Sequence, residues 1–256
     1  MSAVIEREQL RQRADYTHKF NTNTGRHGWL RLTPAYSLKI VEELVINHES
    51  AQRVFDPFCG TGTTALSAVN HGHEGVTADI NPFLIWLAQA KISHYSSAAI
   101  AATQDACNTV LRLVKTHAVE PVPAPPIHNI ERWWSPKALE FLQLLRAAIA
   151  QVARKQSPEW SLLHVAFCRA LIGHSNAAFN HQSMSFKDDG QINMDLDIDM
   201  GASFAEDVRF VLSGAAENPI ATGSVVYGDS RWPDKAVTGP FDLVSTSPPY
   251  ANRMSY

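Results

Sequence analysis

One short stretch, residues 53–65, constrains the fold of this chain more than any other. It reads RVFDPFCGTGTTA, a short apolar strand that runs into a glycine-rich turn and then into a helix. A second apolar stretch, EGVTADI, ends at Asp79 and Ile80 and is followed by a helical pattern, PFLIWLAQAKIS. Another helix, TPAYSLKIVEELVINH, precedes the first strand, with Pro34 expected in its first turn. Strands that alternate with helices in this way predict a parallel sheet and an α/β fold.

The rest of the chain interrupts this pattern and then resumes it. Residues 96–220 read as a helical insertion, and two of its helices begin with a Ser-Pro pair, at Ser135 and Ser157. Two further strands, GSVVYGDS and FDLVSTSPP, follow the insertion. The sequence therefore predicts an N-terminal part over residues 1–95, a helical insertion between the second and third strands, and a return to the sheet over residues 221–256.

Composition limits the classes of protein that fit this sequence. The chain has 256 residues, which is enough for an ample core, and its net charge of −3 gives no general attraction to nucleic acid. No apolar run approaches the roughly 18 residues of a membrane span. The polar N-terminus and the three cysteines, an odd number without metal-like spacing, favour a cytoplasmic protein. His71 and His73 have no third ligand nearby, so we predict no metal site.

The glycine turn has the pattern of a site for an adenosine cofactor. Gly60, Gly62 and Ala65 satisfy G-x-G-x-x-G/A, and Asp79 lies where a ribose-binding acid belongs. Glycines allow the backbone to approach a ligand, and the helix that follows offers free N–H groups. The same geometry serves NAD and S-adenosylmethionine, and a tight turn without a ligand is a further reading.

Two details favour S-adenosylmethionine over NAD. Asp56 precedes the glycines and places a carboxylate at the tip of the strand, where it could hold the α-amino group of a ligand. No second mononucleotide-binding half follows, because the helical insertion occupies its place.

Four motifs together resemble one family. FDPFCGTGTT, GVTADINP, YGDS and FDLVSTSPPY occur in this order, and the chain thereby resembles the DNA methyltransferases that modify cytosine N4 or adenine N6. Ser-Pro-Pro-Tyr is similar to the cytosine-N4 version of the family's D/N/S-P-P-Y loop. The resemblance covers residues 26–95 and 222–256, and it implies a Rossmann-like methyltransferase sheet that binds S-adenosyl-L-methionine.

The resemblance also implies individual roles. Asp56 would lie near the methionine amine, Asp79 would hold the ribose, and Ile80 would pack on the adenine. The residues implied for cofactor binding are Asp56, Phe58, Cys59, Gly60, Thr61, Gly62, Thr63, Asp79, Ile80 and Asp229, the last near the adenine amino group. Those implied for catalysis are Ser247, Pro248, Pro249 and Tyr250.

The chemistry of amino-group methylation suits this loop. An exocyclic amino group is a poor nucleophile because its lone pair is delocalised into the ring. Ser247 Oγ and the carbonyl of Pro248 are acceptors that can hold its hydrogens, and the rigid Pro-Pro pair fixes them in advance. Tyr250 offers a face for a base flipped out of the duplex. No cysteine follows a proline, which argues against methylation at cytosine C5.

The expected function is site-specific methylation of double-stranded DNA at an exocyclic amino group, with cytosine N4 favoured by Ser247. Methylation of adenine N6 is the first alternative, and a silent subunit that binds cofactor or DNA without transferring a methyl group is the second. A structured RNA or a protein glutamine is a possible different substrate, and NAD-dependent redox chemistry is the most distant reading.

The last predicted strand suggests a missing neighbour. Only four parallel strands are legible, whereas the family's sheet continues past the catalytic strand, which here would remain an open apolar edge. We therefore expect a second polypeptide or another copy of the chain to cover this edge, or a truncated product.

Overall fold

The computed structural model describes residues 24–30, 37–48, 52–178, 185–187 and 199–248. The chain divides into two compact units, one formed by Met1–Ile92 together with Pro219–Tyr256 and the other by Ser93–Asn218. None of the helices in the described ranges is long and apolar enough to cross a membrane.

The first unit contains a parallel sheet. In the described residues its helices are α1 (Leu38–Ile46), α2 (Thr63–Asn70) and α3 (Pro82–Ile92), and its strands are β1 (Arg53–Asp56), β2 (Glu74–Asp79), β3 (Gly223–Tyr227) and β4 (Leu243–Val244). The strand order is β3-β2-β1-β4, and every pairing is parallel. This is the order of the first four strands of a doubly wound Rossmann sheet. The predicted α/β class with a parallel sheet is confirmed.

The register aligns the carboxyl ends of the strands. Asp56 at the end of β1 pairs with Thr77, and Asp79 at the end of β2 pairs with Tyr227. On the other side of β1, Phe55 pairs with Val244. Since ligands of open α/β sheets bind outside the carboxyl ends of the strands, the turns that follow β1, β2, β3 and β4 share one candidate edge.

The two central strands are apolar because both of their faces are covered. On one face Val54 packs with Ala68 of α2 and with Leu243 of β4. On the other face Phe55 packs in a cluster whose remaining members are Val76, Ala78, Val226, Val237 and Phe241. The rings of Phe55 and Phe241 stack with their centroids 4.6 Å apart. Strands that are buried on both faces read as continuous hydrophobic runs, as RVF does here.

Two predicted boundaries differ from those observed. Helix α1 begins at Leu38, with Ser37 as its N-cap, and Pro34, which we expected in the first turn, lies outside the described residues. The side chain of Ser37 makes no capping hydrogen bond. The strand predicted over FDLVSTSPP is only Leu243–Val244, because in the described part of the chain it pairs with β1 alone and prolines cannot extend a ladder.

The second unit is mainly helical. In the described residues it contains α4 (Ser97–Lys115), α5 (Ile130–Trp133), α6 (Pro136–Val152), α7 (Pro158–Gly173), α8 (Met200–Ala216) and a short antiparallel pairing of Ala177–Ala178 with Ser185–Phe186. The two predicted Ser-Pro starts are confirmed, since Ser135 accepts a hydrogen bond from the Ala138 amide and Ser157 accepts one from the Trp160 amide.

Candidate active site

The glycine turn after β1 adopts a conformation that requires glycine. Gly60 has φ of +52° and Gly62 has φ of +76°, both in the left-handed region. A Cβ atom on Gly62 would lie 2.8 Å from the Cβ of Ala88 in α3, so this glycine also permits close packing of the turn. Gly62 is the N-cap of α2 and makes no side-chain capping bond. The turn therefore leads into a helix N-terminus whose N-cap residue, a glycine, has no side chain to offer the first-turn amides.

Asp79 joins this turn to the end of β2. Its Oδ2 accepts a hydrogen bond of 3.4 Å from the Gly60 amide, and its Oδ1 accepts one of 2.8 Å from the Asn81 amide. Its carbonyl oxygen accepts a hydrogen bond of 3.0 Å from the Gly228 amide after β3. The neighbouring Ile80 is 60% exposed, which is high for a large apolar side chain. A carboxylate and an open apolar face thus lie next to each other beside the glycine turn.

Asp56 is buried rather than presented to solvent, with 1% of its surface exposed. Its Oδ1 accepts hydrogen bonds from the Phe58 amide at 3.0 Å and from the Thr246 hydroxyl at 2.6 Å. Its carbonyl oxygen accepts a hydrogen bond of 2.9 Å from the Thr77 hydroxyl. Burial raises the pKa of the Asp56 carboxyl above its ordinary value, and hydrogen bonds from Thr246, Phe58 and Thr64 oppose the rise. Asp56 therefore holds two loops together, a role that its sequence motif did not reveal.

The remaining turn residues, Phe58, Cys59, Thr61 and Thr63, shape the glycine turn. The side chain of Cys59 is 3% exposed, and burial raises the pKa of its thiol to about 12. Its amide donates to the Ala78 carbonyl at 3.0 Å, which ties the turn to β2. Phe58 is half-buried, and the hydroxyls of Thr61 and Thr63 lie 3.3 Å apart. Cys59 is thus a packing residue that shapes the turn from inside.

Asp229, after β3, is already paired. Arg231 Nε donates to both of its carboxylate oxygens at 3.0 Å, and Arg231 Nη2 donates to Oδ2 at 2.6 Å. These bonds lower the pKa of Asp229 to about 2, with the side-chain hydrogen bonds of Arg231 as the largest cause. Any amino group that approaches Asp229 must share it with this guanidinium.

The predicted catalytic loop begins where β4 ends. The Ser245 amide donates to the Phe55 carbonyl at 3.0 Å, and the Thr64 hydroxyl donates to the Ser245 carbonyl at 3.3 Å. Ser247 is half-buried and Pro248 is exposed. Pro249 and Tyr250 lie outside the described residues. Because β4 pairs in parallel with β1, Ser247 follows its strand at the same edge of the sheet as the glycine turn.

Among the residues whose side chains contact a predicted site carboxylate, Thr246 and Arg231 had no role predicted from the sequence. Thr246 lies between a strand and a Ser-Pro pair. Its hydrogen-bond partner Asp56 is 190 positions away in the sequence, so no local pattern predicts the contact. Arg231 is two residues after Asp229, and that spacing is the one local signal that could have indicated the pair.

Comparison with known proteins points to DNA methyltransferases. The sequence profile described as D12 class N6 adenine-specific DNA methyltransferase matches residues 38–116. A type II methyltransferase of Geobacillus stearothermophilus, M.BsoBI, is 28% identical over 81 residues. That match covers 31% of this chain and 16% of the length of M.BsoBI. None of the solved structures gives a significant match.

The profile covers only part of the site. Residues 38–116 contain β1, the glycine turn, β2 and Asp79, and they end before β3, β4 and Ser247. The similarity to DNA methyltransferases therefore lies in the part of the chain that holds β1, the glycine turn and β2.

Proposed function

We propose that this chain transfers a methyl group from S-adenosylmethionine to an exocyclic amino group of a base in DNA. The observation that carries the proposal is the meeting of three features at one sheet edge. The glycine turn follows β1, Asp79 ends β2, and the loop with Ser247 follows β4 on the other side of β1. Ligand sites of this fold lie at the point where the strand order reverses, which here falls between β1 and β4.

The residues present fit S-adenosylmethionine. At the two left-handed glycines the backbone of the turn carries no side chain, and Gly62, the N-cap of α2, offers none to cap the helix. Asp79 offers carboxylate oxygens for the ribose hydroxyls, and the exposed Ile80 offers an apolar face for the adenine. Asp229 with its Arg231 partner would lie toward the adenine amino group.

We propose a less direct task for Asp56 than a contact with the methionine amine. Its carboxylate is buried and already accepts hydrogen bonds from Phe58 and Thr246. We infer that Asp56 supports the turn that would hold the methionine end and does not itself form an open binding face.

The catalytic loop would activate the amino group by holding its hydrogens. When bound, S-adenosylmethionine supplies an electrophilic methyl group on a sulfonium. Ser247 Oγ and the Pro248 carbonyl would accept hydrogen bonds from the amino group, which favours a pyramidal nitrogen with its lone pair directed at the methyl carbon. Methylation of the nitrogen would release one of the hydrogens held by Ser247 Oγ and the Pro248 carbonyl as a proton to solvent, and the cofactor would leave as its neutral thioether. No covalent link to the protein is required.

Two bases remain candidates as the methyl acceptor. Ser247 in the first position of the loop favours cytosine N4, following the resemblance of Ser-Pro-Pro-Tyr to that version of the family. The profile match favours adenine N6 through the class it describes, although its residues stop before the loop. Both targets are amino groups of flipped bases, so the proposed roles of Ser247 and Pro248 serve either one.

Transfer of a labelled methyl group from S-adenosylmethionine to duplex DNA tests the proposal. Calorimetry with the cofactor alone should be run beside it, so that binding and transfer are measured separately. Label in DNA that requires the chain supports the proposal. Binding without transfer would contradict it and favour a silent subunit, and binding of NAD in place of S-adenosylmethionine would favour redox chemistry.

A further inference from the structure

Beyond the family motifs, one hydrogen bond connects the two halves of the candidate site. The hydroxyl of Thr246 donates to Oδ1 of Asp56 at 2.6 Å, across 190 positions of sequence. The same oxygen accepts the amide of Phe58 at 3.0 Å. One carboxylate atom therefore holds both the start of the glycine turn and the residue before Ser247.

The contact is unusual in its burial. Asp56 is almost fully buried, whereas Thr246 is exposed, so the threonine reaches inward to a carboxylate that solvent barely touches. Hydrogen bonds to a charged acceptor are stronger than neutral ones, and a buried carboxylate that loses a donor pays a large desolvation cost. Loss of this hydrogen bond should therefore cost more free energy than loss of an ordinary surface hydrogen bond.

The loop has few other attachments at this point. Its base is fixed by the Ser245 amide on Phe55 and by the Thr64 hydroxyl on the Ser245 carbonyl. From Thr246 to Pro248, the bond to Asp56 is the sole hydrogen bond in the part of the chain that the structure describes. The Cα of Ser247 is one trans peptide, about 3.8 Å, from that of Thr246. A shift of Thr246 must therefore move Ser247.

We propose that Thr246 is a positioning residue, whose hydroxyl ties the loop bearing Ser247 to the cofactor turn through Asp56. The inference rests on the proposed function, since it assigns Thr246 a part in the same methyl transfer. Thr246 touches neither substrate nor cofactor in this account. Its effect passes through Asp56 to Phe58 on one side and through the backbone to Ser247 on the other.

The test compares three variants of the full chain. Thr246→Val removes the hydroxyl and keeps the shape, Thr246→Ser keeps the hydroxyl, and Thr109→Val is the matched control. Thr109 lies on α4 and is half-buried, and among the described residues its hydroxyl bonds only to the Asp105 carbonyl. The readouts are the single-turnover rate of methyl transfer to DNA, the Kd of S-adenosylmethionine and a thermal melt.

We expect Thr246→Val to slow the single-turnover rate by about tenfold to a hundredfold, as for a lost charge-assisted hydrogen bond. Its cofactor Kd should stay within about threefold of the wild type, because the turn keeps its own contacts. Thr246→Ser should recover most of the rate, and Thr109→Val should match the wild type. A wild-type rate in Thr246→Val, equal losses in the valine and serine variants, or a loss explained by cofactor Kd would each overturn the proposal.

A second variant keeps the proposal falsifiable should Thr246→Val fold poorly. Asp56→Asn retains an acceptor oxygen without the charge, so its rate should fall less than that of Thr246→Val. In the Asp56→Asn background the valine substitution should cost less than it does in the wild type, because the two residues act through one bond. If the rate losses of the two single variants simply multiply in the double variant, Thr246 and Asp56 do not act through one bond. A wild-type chain that transfers no methyl group contradicts the proposed function itself, which is a different result from a methylating chain indifferent to Thr246.

Discussion

At the scale of single residues, the burial of Lys91 in the first unit lowers the stability of the folded state. It lies on α3, is fully buried, and its Nζ has no hydrogen-bond partner among the described residues. Burial lowers the pKa of Lys91 from 10.5 to about 8. The charged form therefore destabilises the folded state at neutral pH.

Lys91→Met should stabilise the protein. The shift in pKa corresponds to about 3 kcal/mol at pH 7, at about 1.4 kcal/mol per unit. Between pH 8 and 10.5 the unfolded chain keeps a proton that the folded chain has released, so wild-type stability should rise with pH across that window. The stability of Lys91→Met should not increase with pH across that window. Urea titrations at pH 7 and pH 9.5 measure both effects, and Lys115→Met, exposed on α4, is the control.

Gly62→Ala should destabilise the chain by about 1–3 kcal/mol, since its φ of +76° strains any side chain and its Cβ would lie 2.8 Å from that of Ala88. Gly173→Ala is the matched control, because nothing lies within 4 Å of a Cβ there and alanine favours a helix. Thermal melts should show a lower Tm for Gly62→Ala and an unchanged or higher one for Gly173→Ala. Equal effects of the two substitutions would show that the turn does not require glycine.

At the scale of elements, the short strand β4 is held at its start by side chains. Asp242 Oδ2 accepts hydrogen bonds from the Gln52 and Arg53 amides, at 2.9 and 2.8 Å. Arg53 bonds to Glu74 of β2 at 2.8 Å and to the Pro240 carbonyl at 2.9 Å. Its guanidinium also lies over the ring of Phe241, just before β4. These contacts compensate for a strand of only two residues.

Arg53→Met should therefore loosen β4. We expect the free energy of unfolding to fall by about 1–2 kcal/mol, from a half-buried ion pair and its hydrogen bonds to backbone carbonyls. Arg209→Met is the control, because Arg209 pairs only loosely with Glu206, at 3.7 Å on the exposed face of α8. Chemical denaturation of the two variants compares them directly. A larger loss in Arg209→Met would refute this account of β4.

The sequence predicts the local part of this architecture well. The glycine turn and the Ser-Pro helix starts follow from short-range rules, and the apolar runs of β1 and β2 follow from burial on both faces. The bond between Thr246 and Asp56 joins positions 190 apart, so no spacing rule reveals it. The length of β4 depends on which strands lie beside it, and the predicted strand was therefore too long.

At the scale of the whole molecule, the second unit begins and ends at neighbouring points. The Tyr95 amide donates to Asn218 Oδ1 at 2.8 Å, and Asn218 Nδ2 donates to the Tyr95 carbonyl at 2.9 Å. A segment whose ends meet in this way can in principle fold without the rest of the chain. It also has its own buried residues, among them Leu145, Leu163 and Phe204.

Residues 93–218 expressed alone should consequently form a cooperatively folded helical protein. Far-ultraviolet circular dichroism should show a helical spectrum with a sigmoidal thermal transition. Asn218→Ala in this fragment should lower the transition temperature, because it removes both bonds that close the segment. A gradual, non-cooperative melt would show that the unit depends on the sheet for its fold.

The most direct measurement of the central claim is mass spectrometry of nucleosides from DNA incubated with the chain and S-adenosylmethionine. A Ser247→Ala variant with wild-type cofactor binding should be run in parallel. We predict N4-methylcytosine or N6-methyladenine in the wild-type sample, with at least a large reduction in the variant, and the product identifies the base. A wild-type chain that binds the cofactor but leaves every base unmethylated, or a Ser247→Ala variant as active as the wild type, would contradict the account.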